Sequence, residues 1–283
     1  MMTDTTLRSW LDRAWEEHAK VSSRIAAELA ERAAALPDDA DGAEAVRLAE
    51  HVMLAHLADP AALSRFIAAL PASDARATSV QRASWALATL AGDAEPPIAD
   101  APRWRALHSV VMTLVGRGQV ESARERLLSE EAAAAASDDA DARKAFAATA
   151  NNTAADLCNG ARGDAGRDAL MLAAAALAQR AWQRAGGTWI NAERADYRLA
   201  MCHAVVGQGA QAVAFAGACL ARCEAEGAEA SERFFAHECC VHAQRAAGDA
   251  AKAEQHRGRM AALLAEISDP GMHGWCSETL ATT

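Results

Sequence analysis

The chain has 283 residues, enough for one extended repeat domain or two compact ones, and alanine makes up roughly a quarter of it, with one Tyr and seven Pro, a strongly helix-favouring balance. The formal charge of -10, with basic residues scattered among acidic ones, argues against a nucleic-acid partner. The start, MMTDTTLRSW, lacks the pattern of a signal peptide, and the longest apolar run, LMLAAAALA, is too short to span a bilayer, so no membrane role and a cytoplasmic location are expected.

In chain order, helical periods are separated by short punctuators, among them PDDADG, ADP, LPASD, GDAEPP, GRG, SDDAD, NGARGDAG, GG, GQG, EGAEAS and GD. About a dozen helices are predicted, with Asp and Ser after the breaks as N-caps and Gly before them as left-handed C-terminal caps. The first segment, 1–99, reads as a helical region without assignable repeats. In it His51 and His56 are five apart, which in an α-helix places them on different faces.

From residue 100 a shared design appears. Residues 103–131, 194–224 and 233–266 each read as helix, Gly turn, helix, with turn glycines Gly118, Gly207 and Gly248 and an alanine five residues later at Ala123, Ala212 and Ala253. The spacing leaves room for a degenerate copy around NGARGDAG. These stretches resemble tetratricopeptide-type helix-turn-helix repeats. The resemblance implies close helix pairing at those alanines against Val110, Leu199 and Cys240. It departs from the family in having Val111 and Val241 where a small residue is usual, few bulky aromatics, no terminal Pro and a longer repeat. The expected fold is all-α, an α-α superhelix of stacked antiparallel hairpins over 100–267, with 268–283 as a cap, a tail that folds back, or a dimer contact.

The resemblance also implies a concave wall. Carried over, its groove positions fall on Arg105, His108 and Met112, then Arg194, Tyr197 and Met201, then Glu238, His242 and Arg245. Asn151 and Asn152, in a helix interior that disfavours Asn, either line the groove or bend a degenerate repeat. Arg105 and Arg194 beside Tyr197, Met112 and Met201 suggest an acidic peptide segment with an apolar anchor as the partner.

HECCVH at 237–242 has the residue types of a metal site. Its helical spacing instead places His237, Cys240, Val241 and Gln244 on a core stripe, with Cys240 near Cys219. A zinc knuckle pattern is lacking, so no metal is expected; the alternative is a metal or redox cluster of Cys202, His203, Cys219, Cys223, His237 and Cys240. The seven cysteines are expected as free thiols in a reducing compartment. Phosphate-loop, dinucleotide, nucleophile-elbow and zincin motifs are missing, so no cofactor is expected and an interaction scaffold is favoured over an enzyme; a structural homodimer is a third reading. The seven Trp are dispersed and are expected mostly in the core, with Trp182 and Trp189 flanking a Gly-Gly turn as surface candidates.

Overall fold

The computed structural model describes residues 6–283, so the first five residues of the N-terminal stretch read for a signal peptide lie outside it. Among the described residues there is no strand, and no helix is long and apolar enough to cross a membrane. The architecture is all-α, built from consecutive helices that pack on one another. It divides into two compact units, 1–149 and 150–283, a partition different from the 1–99, 100–267 and 268–283 division read from sequence.

Unit 1 contains α1 (Leu7–Arg32), α2 (Ala40–Glu50), α3 (Pro60–Ala68), α4 (Ala77–Ala91), α5 (Asp100–Gly116), α6 (Val120–Ser129) and α7 (Glu131–Ala136). Helix α8 (Ala140–Asn159) begins in unit 1 and ends in unit 2. Aspartates start helices as the sequence predicts: the Asp39 and Asp59 carboxylates accept from the backbone N–H groups of Gly42 and Ala62, at 3.0 and 2.9 Å. These bonds satisfy donors that the first helical turn leaves unpaired.

Helix α2 does not end at Glu50 but runs into a π-helical turn, His51–His56. The Leu57 N–H donates to the Val52 carbonyl at 3.1 Å, the i→i+5 bond that defines the wider turn. Here the sequence expectation fails. At about 100° per residue, residues five apart in an α-helix point about 140° away from each other, whereas the wide turn sets His51 beside His56, Nε2 to Nε2 at 3.1 Å. Neighbouring helices hold the turn. Buried Thr113 of α5 donates to the Leu54 carbonyl at 2.9 Å, and fully buried Glu50 accepts from Arg82 of α4 through both oxygens, at 2.8 and 3.0 Å, and from Ser109 at 3.0 Å.

Unit 2 is completed by α9 (Ala165–Arg184), α10 (Trp189–Val205), α11 (Gly209–Ala225), α12 (Ala230–Ala246), α13 (Ala250–Leu264) and α14 (Pro270–Thr282). Helices α10 to α13 form successive hairpins, and α12 also packs on α10. Gly207 and Gly248 close α10 and α12 with φ of 74° and 80°, and Gly118 closes α5 with φ of 74°, the left-handed conformation a Cβ would strain. Ala123, Ala212 and Ala253 are buried, as are Val110, Leu199 and Cys240. The α10–α12 core is lined by Ala200, Ala212, Ala216, Ala236, Ala243 and the thiols Cys219, Cys223, Cys239 and Cys240. Small side chains let helix axes approach closely.

The last segment folds back as a cap. Met272, Cys276 and Leu280 of α14 pack with Phe234, Val241 and Met260 of α12 and α13, and the Asp269 carboxylate caps its first turn by accepting from the Met272 N–H at 2.7 Å.

Candidate functional site: the α10–α12–α14 cleft

Unit 2 contains a cleft of about 360 Å³ lined by Asn151, by Glu193, Arg194, Tyr197 and Arg198 of α10, by Ser231, Glu232, Phe235 and Glu238 of α12, and by Met272, Trp275 and Thr279 of α14. Its position follows from the hairpin stacking. Where α10 and α12 lie side by side, the residues they direct away from α11 are left uncovered, and α14 closes one side.

The polar half of the cleft is dominated by carboxylates. Arg194 donates to Glu232 at 2.5 Å, and Tyr197 donates its phenol proton to Glu238 at 2.9 Å. Burial raises the Glu238 carboxyl above its usual range, opposed by the Tyr197 bond and by Arg198. Partial burial and the Glu238 charge push the Tyr197 phenol well up. Glu193 is 1% exposed; one of its oxygens accepts from the Cys219 thiol at 2.9 Å, and the other has no hydrogen-bond partner. Loss of hydration raises Glu193 to about 7. Buried charge without a full set of partners is costly, so at this position the proton is retained far above the ordinary carboxylate range.

The apolar half is aromatic. Trp275 is 56% exposed, and its ring lies 4.7 Å from that of Phe235. The surface tryptophan is therefore Trp275. Trp182 and Trp189 at the Gly-Gly turn are half-buried, and Trp189 packs on the α10–α12 core.

Of the groove residues carried over from sequence, the cleft brings together Asn151, Arg194, Tyr197 and Glu238. The others lie elsewhere. Asn152 is exposed beside Asn151, Met201 packs against the core, Arg245 is exposed near the end of α12 and His242 is half-buried one turn beyond Glu238. Arg105, His108 and Met112 belong to α5 in unit 1, where Arg105 is exposed, Met112 half-buried and His108 buried against the ring of His51. An α5 face assigned to the groove instead carries a packed histidine, because the π turn packs on α5. The cleft brings Arg194 and Arg198 together with Glu193, Glu232 and Glu238, and Arg194 pairs with Glu232.

The Cys/His set is dispersed. Cys202 neighbours Cys158, Cys219 neighbours Cys223 and Cys239, His203 donates to Gln208 and stacks on Phe215, and His237 faces His256 with their Nδ1 atoms 3.0 Å apart. All seven cysteines are buried and free. Hydrogen bonds from neighbouring thiols, then burial, raise Cys202 and Cys223, and burial above all raises Cys239, which suits inert packing. Cys158 differs, lowered to about 7 by its Cys202 hydrogen bond and by Arg198 and Arg162. Cys240 does pack in one core cluster with Cys219, as the helical spacing indicates.

Sequence reasoning missed Glu193, Glu232, Phe235 and Trp275. The first three sit on the same helices as the groove positions, within two turns of them, whereas Trp275 reaches the cleft only through the docking of α14. Comparison with protein-family models, with curated proteins and with solved structures gives no match.

Proposed function

We propose that the chain is a tetratricopeptide-like helical-repeat interaction protein, and that the α10–α12–α14 cleft takes a segment of another protein carrying a Lys or Arg beside an apolar side chain. The burial of Ala123, Ala212 and Ala253 against their partner helices supports the repeat reading. The observation that carries the ligand class is the Glu238 carboxylate lining the cleft beside an aromatic wall that includes an exposed Trp. A cation is attracted both to carboxylates and to aromatic faces, while Met272 offers adaptable apolar contact. It differs from the acidic partner expected from Arg105 and Arg194: Arg194 pairs with Glu232, and Arg105 lies on α5 in unit 1.

Calorimetric titration of the full chain with a short peptide bearing Arg next to Leu tests the reading against the same peptide with Glu in place of Arg. The Arg peptide binds at least tenfold more tightly, and both E238Q and W275A weaken it at least tenfold with helical circular dichroism unchanged. Preferential binding of the Glu peptide, lost in R194E, overturns it; so does equal binding of the Arg peptide by wild type and W275A.

A further inference from the structure

Three imidazoles converge in unit 1, apart from the cleft and independent of the reading given to it. His18 comes from α1, and His51 and His56 from the two ends of the π turn. Each ring brings one nitrogen, and these three atoms lie within 4.8 Å of one another. Ring centroids are 4.8, 5.0 and 4.8 Å apart around the triangle, so no ring is an outlier. Two nitrogens bound to one tetrahedral zinc ion at about 2.0–2.1 Å stand about 3.3 Å apart, and the His51 and His56 Nε2 atoms are already 3.1 Å apart.

The surroundings orient the rings. Nδ1 of His18 lies 2.5 Å from the Trp15 carbonyl oxygen; a carbonyl only accepts, so Nδ1 carries the proton and the neutral ring keeps its lone pair on Nε2. Fixing a ligand's tautomer through its other nitrogen is the recurring outer-shell arrangement of metal-binding histidines. Trp15 walls one side, 5.5 Å from His18 and 5.6 Å from His51, and its indole N–H donates to Glu44 at 2.8 Å. The π turn is the device that makes His51 and His56 neighbours, and wide turns of this kind recur at functional sites. All three histidines are half-buried.

We propose that His18, His51 and His56 bind a divalent transition-metal ion of the zinc type, with three imidazole ligands and the fourth position left to water. Imidazole favours zinc and its first-row neighbours over magnesium or calcium. Three protein ligands with one exchangeable position are the pattern of zinc sites that act on bound water, lowering its pKa to about 7.

The test uses the full chain, stripped with a chelator and titrated with Co²⁺ under visible absorption and calorimetry. One equivalent binds per chain, with the ligand-field bands of a four- or five-coordinate ion and no sulfur-to-cobalt charge-transfer band. H18Q and H56Q each weaken binding by more than the roughly 10- to 100-fold that loss of an outer-shell partner costs, with helical circular dichroism retained. H18Q removes a ligand outside the π turn, so it decides the matter even where H56Q disturbs that turn. No cobalt binding at micromolar concentration, a sulfur charge-transfer band, or unchanged affinity in H18Q overturns the proposal.

Discussion

Glu193 concentrates the electrostatics of unit 2 in one side chain. Its folded-state pKa, raised to about 7 by loss of hydration, stands above the unfolded value of about 4.3. Between these values the folded state holds a proton that the unfolded state has released, so stability falls as pH rises from about 4.3 to 7 and levels off above. The size is on the order of 3 kcal/mol. His237 acts in the opposite sense: burial and the nearby His256 lower it to about 4, so its contribution is lost as pH falls from about 6.5 to 4. Comparing E193Q with wild type isolates the carboxylate. Urea unfolding across a pH series is expected to show the two nearly equal at pH 4 and the variant more stable by on the order of 3 kcal/mol at neutral pH; parallel profiles contradict this. None of it is legible in the sequence, where Glu193 is one acidic residue in NAERAD. Its burial comes from the α10 packing that also sets it against Cys219.

Among elements, the hairpins were readable and the π turn was not. Gly118, Gly207 and Gly248 were identifiable because a left-handed C-terminal cap excludes a Cβ, and Asp249 because a short carboxylate can reach back to the first turn. The turn at His51–His56 obeys no local pattern; it is held by Thr113 and by the Glu50 anchor, supplied from helices more than thirty residues away. Helix α11 shows what close approach demands of a sequence. A Cβ on Gly209 would lie 2.6 Å from the Ala246 carbonyl oxygen and from backbone atoms of Ala247, none of which can rotate aside. A Cβ on Gly217, further along the same helix, meets nothing within 4 Å. The two alanine substitutions should therefore differ in sign: G209A destabilising by roughly 1–3 kcal/mol, G217A stabilising by roughly 0.5–1 kcal/mol. Chemical denaturation of both variants checks this, and two changes of the same sign would contradict it.

At the scale of the whole molecule, composition and punctuation made the all-α class plain, since so much alanine with so few β-branched runs leaves little but helix. The candidate site was half legible: α10 and α12 supply Arg194, Tyr197 and Glu238, all expected from sequence, whereas Trp275 and Met272 reach the cleft only because α14 folds back on α12 and α13. A tail's docking direction has no periodicity to read. The alanine and cysteine interfaces between hairpins have a thermal consequence. Small side chains hide little apolar surface per ordered residue, and the heat-capacity change of unfolding grows with the apolar surface released to water. Calorimetry should therefore give a value below the common range of roughly 12–15 cal/mol/K per residue, and a value at or above that range would contradict this. With a small heat-capacity change the free-energy curve is shallow about its maximum, so cooling erodes stability slowly and cold denaturation is displaced to lower temperature.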